Sequence, residues 1–167
     1  EEQFQRTARL SRPLKPQSSR LVLWPESGIP DYLRDGYPQR YYTQMTAGGD
    51  PAFARTRIGR VIGEDSLLLT GVVDLEIEMV EGREKAVAAY NAITSIDPDG
   101  RLGERYAKAH LVPYGESLPL RSWLEPLGLS RLVAGTLDFI PGPGPRTLDL
   151  DLLAYAGLII DDEDLTV

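Results

Sequence analysis

Two ionisable residues stand at the ends of apolar runs, which predicts that they lie at the carboxyl ends of neighbouring strands with their charged groups in one cleft. Glu26 follows the run Leu21–Trp24 and a proline, and Lys108 lies in an extended run from Arg105 to Val112. A carboxylate at the end of a buried strand could accept a proton, and a lysine in a polar pocket could stabilise an oxyanion. From spacing alone, a solvated loop glutamate and a surface lysine on an edge strand are the more common cases.

Neighbouring polar residues add weaker indications. Glu116 follows Gly115, so it could turn back to pair with Lys108 and orient it, although simple turn chemistry explains the same pattern. His110 is the only histidine. One histidine without a ligand-spaced partner does not make a metal site, so a structural role is favoured. The Gly- and Pro-rich loop 141–145 lacks phosphate-binding spacing. The sequence predicts neither a metal nor a cofactor.

The composition argues against several classes of binding partner and site. The net charge is −7 and the pI is about 4.8, which argues against nucleic acid and against charge-driven binding to an anionic membrane. The longest apolar run, Leu152–Ile160, is too short to span a bilayer. The chain contains no cysteine, which excludes disulfides, thiolate metal sites and a cysteine nucleophile.

Strand patterns with interspersed helix patterns predict an α/β (α+β layered) domain that would have to position these residues. The apolar run at residues 21–24 predicts a buried strand, and Asp50-Pro51 predicts the start of a helix that runs to Ile62. The remaining predicted elements are a helix over Glu1–Leu10, strands over Leu67–Val73, Asp74–Val80, Val87–Ile96 and Arg105–Val112, a short helix over Leu120–Leu129, and two strands within Leu148–Ile160.

Several segments together resemble the nitrilase (carbon–nitrogen hydrolase) superfamily and, within it, the catalytic domain of the apolipoprotein N-acyltransferase family. The resemblance runs from about Leu21 to about Leu150, and residues 1–167 are expected to be a partial domain of this kind. The segments that carry it are Leu21–Pro30, Tyr90–Ala92, Asp97–Gly100, Tyr106–Glu116 and, more weakly, Phe139–Pro143. The continuation of the lysine segment as His-Leu-Val-Pro-Tyr-Gly-Glu makes the match specific.

This resemblance implies an αββα sandwich and a Glu–Lys–Cys triad. Glu26 matches the general base, Lys108 matches the lysine that supports the tetrahedral intermediate, and Glu116 matches a second essential glutamate that borders the site. The family's cysteine takes an acyl group from a phospholipid and passes it to the N-terminal cysteine of a lipoprotein. The resemblance also implies a location at the bacterial inner membrane, with this domain on the periplasmic side.

The chain departs from the family at the nucleophile. The stretch Gly157–Glu163 fits the frame of the cysteine-bearing strand and puts Asp161 at the nucleophile's position, although an altered tail fits equally well. Without the thiol we expect the chain as given to be inactive. The sandwich is also expected to be incomplete, with unpaired strands that could cause self-association. The alternatives are a soluble amidohydrolase of the superfamily and a catalytically dead binding module.

Overall fold

The described part of the chain is a mixed four-stranded sheet with helices packed on it, so the predicted α/β class is confirmed. This computed structural model describes residues 2–12, 20–26, 28–112, 137–148 and 159–160. The helices are α1 (Glu2–Ser11), α2 (Gln39–Met45) and α3 (Pro51–Ile62), with a 3-10 turn over Ala47–Gly49. The strands are β1 (Arg20–Trp24), β2 (Ser66–Val80), β3 (Arg83–Ile96), β4 (Leu102–Ala107), β5 (Arg146–Thr147) and β6 (Ile159–Ile160). None of the helices in these residues is long and apolar enough to cross a bilayer.

The strand order of the main sheet is β1-β2-β3-β4, so β1 and β4 form its two edges among the described residues. Strand β1 runs parallel to β2, whereas β2, β3 and β4 follow one another antiparallel. The prediction of two strands over 67–73 and 74–80 was wrong, because β2 is one strand of 15 residues. The change in pattern near Asp74 arises because β1 pairs with β2 only as far as Thr70. Beyond that point β2 has β3 as its strand neighbour.

One face of the sheet packs against α1 and α3 and holds the larger hydrophobic core. Its members are apolar residues from both helices and from alternate positions of the strands, namely Phe4, Ala8, Trp24, Ile29, Leu33, Ala54, Ile58, Ile62, Leu68, Val72, Ala92, Ile96 and Ala107. Because side chains alternate between the two faces along a strand, the residues next to these core positions point to the other face of the sheet. A smaller cluster lies there, formed by Leu67, Leu69, Tyr106 and Leu148.

In the part of the chain that the structure describes, strand β1 is an edge strand and not the fully buried strand that its apolar run predicts. Trp24 is buried on the helix side, but the side chain of Leu23 is 67% exposed. A wholly apolar run does not distinguish a strand covered on both faces from one that is covered on a single face. The prediction of a strand was therefore right and the prediction of its burial was wrong.

Helix α3 forms where its sequence predicts. The Asp50 carboxylate accepts a hydrogen bond from the backbone N–H of Ala52 at 2.8 Å, and Pro51 occupies the first turn, where a missing N–H costs nothing. Gly63 ends the helix with a φ of 81°. The helix places Ala54, Ile58 and Ile62 in the core.

Helix α2 has no counterpart among the predicted elements. Tyr41 in this helix and the preceding Tyr37 satisfy backbone donors of the long β2–β3 hairpin: the Tyr37 hydroxyl accepts from the N–H of Leu75 at 3.0 Å, and the Tyr41 hydroxyl accepts from the N–H of Ala86 at 2.7 Å. Tyr37 also stacks on Tyr42, with ring centroids 5.8 Å apart. This short segment therefore covers backbone groups of the hairpin that would otherwise be unpaired.

Burial, followed by repulsion from the Asp74 carboxylate, raises the pKa of Tyr37 to about 12. Because this folded-state pKa exceeds the unfolded value, the stability that the neutral phenol contributes is complete below about pH 10 and declines as the pH rises towards 12. We expect Tyr37→Phe to be less stable at pH 8, where the Leu75 N–H loses its acceptor, and to show a flatter decline between pH 10 and 12. Urea denaturation of both proteins across this range tests the expectation, and two parallel curves would contradict it.

Candidate functional site

Glu26 is held by a tight turn at the carboxyl end of β1. The N–H of Gly28 donates to the carbonyl of Pro25 at 2.9 Å, which closes the turn around Glu26. A Cβ atom on Gly28 would lie 2.8 Å from that same carbonyl oxygen, so the turn requires glycine at this position. The Pro25 ring removes a backbone donor just after β1. The chain therefore leaves the sheet at a defined point and presents the Glu26 carboxylate above it.

Lys108 follows the last residue of β4 and is fixed on both sides of its backbone. Its N–H donates to the carbonyl of Asn91 on β3 at 2.8 Å, and its carbonyl accepts from the N–H of Gly142 at 2.8 Å. Gly142 approaches β4 so closely that a Cβ atom would lie 2.1 Å from the carbonyl oxygen of Ala107. The backbone of Lys108 is thus positioned between β3 and the segment at residues 137–148.

The two side chains meet. The Lys108 Nζ lies 3.9 Å from the Glu26 Oε1, with the lysine side chain 17% exposed and the glutamate side chain 48% exposed. We expected Glu26 and Lys108 to follow neighbouring strands, which is wrong, because β1 and β4 lie at opposite edges of the four-stranded sheet. Residues at one level across a sheet can still meet when long side chains reach over the strands between them.

Asn91 connects the two charged groups, and the sequence assigned it no role of its own. Its side-chain Nδ2 donates to the Glu26 Oε1, while its backbone carbonyl accepts from the N–H of Lys108. One residue of β3 thus orients the carboxylate with its side chain and positions the lysine with its main chain. The available signal was a polar residue among the mostly apolar residues from Ala86 to Ile93, inside a segment that carried the family resemblance.

The remaining predicted site residues are not brought into this group by the described structure. Glu116 and Asp161 lie outside the described residues, as does the helix predicted over Leu120–Leu129. His110 is exposed, two residues beyond Lys108. Within the described ranges no group of three histidine, cysteine, aspartate or glutamate residues could hold a metal ion.

The arrangement suits chemistry at a carbonyl group. A carboxylate that is half open to solvent can take up a proton from an approaching nucleophile. An ammonium that is largely buried beside it can stabilise negative charge on an oxygen, because electrostatic interactions are stronger where water is excluded. Since the chain has no cysteine, the sulfur nucleophile that would complete such a centre is absent from its sequence.

A family model described as "Carbon-nitrogen hydrolase" matches residues 1–163. Among curated proteins, the chain is 33% identical over 149 residues to the apolipoprotein N-acyltransferase of Rhodopseudomonas palustris and 32% identical over 149 residues to that of Brucella suis. Each alignment covers 85% of this chain and 25% of the relative. The protein of the same name from Rhizobium etli is 34% identical over 137 residues, which cover 82% of this chain and 21% of the relative.

The chain spans about a quarter of the length of these curated relatives. Among solved structures, a glutamine-dependent NAD+ synthetase from Acinetobacter baumannii is similar with a TM-score of 0.45 and 15% identity. That match covers 89% of this chain and 22% of the other.

Proposed function

The chain belongs to the carbon–nitrogen hydrolase family, and on this premise we propose that it is part of the catalytic domain of an apolipoprotein N-acyltransferase. The proposed reaction of the whole enzyme moves an acyl chain from a phospholipid to the N-terminal cysteine of a lipoprotein. The observation that carries the proposal is the contact between the Lys108 Nζ and the Glu26 Oε1 at 3.9 Å. It joins the two segments that most resemble the family. The names of the curated relatives support the same assignment.

In this proposal Glu26 is the general base and Lys108 stabilises the oxyanion. A base must reach the proton that it takes, and the half-exposed Glu26 carboxylate can be approached from solvent. The hydrogen bond from Asn91 leaves the second carboxylate oxygen of Glu26 available for that proton. The ammonium of Lys108 lies within reach of any carbonyl oxygen that binds beside Glu26. Glu116 is proposed to border the site, as its match to the family motif implies.

The chain as given is proposed to lack the acyl-transfer step. That step requires a thiolate, and Asp161 occupies the position that matches the nucleophile in the family frame. A carboxylate placed near Glu26 would add repulsion between like charges and would be a poor nucleophile towards an ester. The phospholipid donor, the lipoprotein acceptor and a location on the periplasmic side of a bacterial inner membrane are proposals that follow from the same assignment.

Two other functions remain as competitors. A soluble amidohydrolase would use the same carboxylate and lysine on small amides, but the His-Leu-Val-Pro-Tyr-Gly-Glu segment after Lys108 favours the acyltransferase. A binding module that keeps the site without the thiol is favoured over an active enzyme by the lack of cysteine. Ligand preference separates the acyltransferase-like site from the amidohydrolase, because a phospholipid and a small amide differ in size and polarity.

Thermal denaturation with added ligand tests the proposal. A short-chain phosphatidylcholine below its critical micelle concentration should raise the melting temperature by about 5 °C when it is present well above its Kd. Glycerophosphocholine, which has the same head group without acyl chains, is the matched control and should leave the melting temperature unchanged. A shift with a small aliphatic amide alone would favour the amidohydrolase. No shift with either ligand would contradict a preserved substrate site.

A further inference from the structure

A second charged group lies on the opposite face of the sheet from Asn91, directly behind the candidate site. The Arg105 Nε on β4 donates to the Oδ2 of Asp74 on β2, and the guanidinium stacks over the ring of Tyr90 on β3, with Cζ 4.7 Å from the ring centroid. Asp74 and Tyr90 are direct cross-strand partners. Arg105 itself lies opposite Thr94, so its side chain reaches along the face of the sheet to the Asp74–Tyr90 pair. One side chain from each of three neighbouring strands takes part in this group.

The carboxylate of this group is deeply buried. The side chain of Asp74 is 2% exposed, and its other charged contact is Arg34, whose Nη1 lies 3.7 Å from the same Oδ2. A buried carboxylate that loses its partner is strongly destabilising, so the contact resists displacement of Arg105. One terminal nitrogen of Arg105 is buried without a hydrogen-bond partner among the described residues, so this guanidinium is held there despite a cost.

The register of β4 decides where Lys108 lies. Three consecutive cross-strand pairs, from Thr94↔Arg105 to Ala92↔Ala107, and the hydrogen bond from the Lys108 N–H to the Asn91 carbonyl hold the end of β4 against β3. The run of pairs is short because the register shifts between Thr94 and Ile96. A slip by one residue would turn every side chain of β4 to the other face. Lys108, three residues after Arg105, would then leave the face that it shares with Asn91.

We propose that Asp74 and Arg105 are positioning residues for Lys108, because their contact across β3 fixes the register of β4 and so holds the lysine beside Glu26. The two side chains make this contact on the helix-covered face, so they act through the strand and do not touch the reacting atoms. The role of Lys108 rests on the proposed function. The positioning itself is tested without any phospholipid or lipoprotein, so the failure of one proposal does not entail the failure of the other.

Acetylation of lysine side chains provides the measurement, because the chain has only three lysines: Lys15, Lys85 and Lys108. The full chain is treated with a limiting amount of an acetylating reagent, and modification of each lysine is quantified by peptide mass spectrometry. In the unmodified chain, Lys108 (17% exposed) should react more slowly than Lys85 (44% exposed). Glu26→Gln, which removes the charge beside Lys108, shows how far its reactivity rises when the ion pair is lost.

Arg105→Met and Asp74→Asn should each raise the acetylation rate of Lys108 by about threefold to fivefold, the factor expected when a partly exposed ion pair is lost. The rates of Lys85 and Lys15 should stay unchanged. Arg34→Met is the matched control, because it removes a cation from the same carboxylate without touching β4, and it should leave Lys108 unchanged. Thermal denaturation followed by circular dichroism accompanies each variant.

Three results would overturn the proposal. The first is an unchanged Lys108 rate in a folded Arg105→Met variant. The second is an equal rise at all three lysines, since that indicates general loosening of the fold. If Arg105→Met and Asp74→Asn do not unfold cooperatively, the Lys108 rate is measured in Arg105→Lys, which keeps the charge but loses the planar contact with Tyr90. The first result then applies to that variant. The third result is loss of cooperative unfolding in all three variants, because the pair would then stabilise the whole fold.

Discussion

A chain carrying Asp161→Cys is expected to gain the mass of one acyl group when it is incubated with an alkyne-tagged phospholipid, whereas the unmodified chain should keep its mass. The substitution supplies a thiol at the position that we propose to match the family's nucleophile. Glu26 would accept the thiol proton, and the thiolate would attack the ester carbonyl carbon. Lys108 would stabilise the resulting oxyanion until the C–O bond breaks. The lysophospholipid would leave with the proton returned from Glu26, and a thioester would remain.

The contributions of Lys108 and Glu26 to the rate of adduct formation are measured by removing one of them at a time. Adding Lys108→Met to the cysteine variant should slow adduct formation by about 100-fold or more, the loss typical of an oxyanion-stabilising group. Adding Glu26→Gln should slow it by a similar factor of about 100, as expected for a general base. Intact-mass spectrometry over time measures both.

Asp162→Cys provides the matched control, because it puts the same thiol one residue beyond the position that matches the nucleophile in the family frame. An equal adduct in the Asp162→Cys chain would show that any exposed thiol reacts, and the alignment of Asp161 with the nucleophile would then be wrong. A stable adduct in the unmodified chain would mean that a different residue serves as nucleophile. That result would overturn the proposal that the chain as given lacks the acyl-transfer step.

Gly59→Ala is expected to lower the stability of the fold by about 2 kcal/mol, because overpacking against the backbone costs about 3 kcal/mol and the higher helix propensity of alanine recovers about 1 kcal/mol. Gly59 lies in α3 against the turn between β3 and β4. A Cβ atom there would lie 2.2 Å from the carbonyl oxygen of Pro98 and 2.8 Å from its carbonyl carbon. Backbone atoms cannot yield as the end of a side chain can, so the helix and the turn must separate.

Urea denaturation measures this loss, and the melting temperature should fall by roughly 4–8 °C. Thr56→Ala, an exposed substitution in the same helix, is the control and should change the stability by less than about 0.5 kcal/mol. A Gly59→Ala variant as stable as the original chain would show that α3 and the turn can separate without cost. The close packing of α3 on the sheet would then contribute little to holding β4.

Much of the local structure could be read from the residues themselves. Asp50, Pro51 and Gly63 marked both ends of α3, and Asp97–Gly100 marked the turn that leads into β4. The predicted helix over residues 1–10 closely matches α1. These features depend on short-range effects, namely caps, fixed φ angles and turn hydrogen bonds, which act between residues close in sequence. The family resemblance identified Glu26 and Lys108 in the same way, through short segments.

The arrangement of strands was decided only by tertiary structure. The apolar patterns did not reveal that β2 is a single strand, that Leu23 on β1 is exposed, or that β1 and β4 lie at opposite edges of the sheet. Alternation along a strand states which residues share a face, but it does not state which strand lies beside it or in what register. Helix α2 was missed because its polar residues satisfy the β2–β3 hairpin through side-chain hydrogen bonds and not through an apolar stripe.

For the candidate site, the sequence alone pointed to the carboxylate and the lysine and showed that the chain has no cysteine. Only the fold decided that Glu26 and Lys108, which are 82 positions apart, come within 3.9 Å, and that Asn91 joins them. Only the fold placed Asp74 and Arg105 behind β3, where they meet across the sheet. The physical reason is that residue type sets what a side chain can do. The packing and register of distant strands set what it meets, and those depend on the whole chain at once.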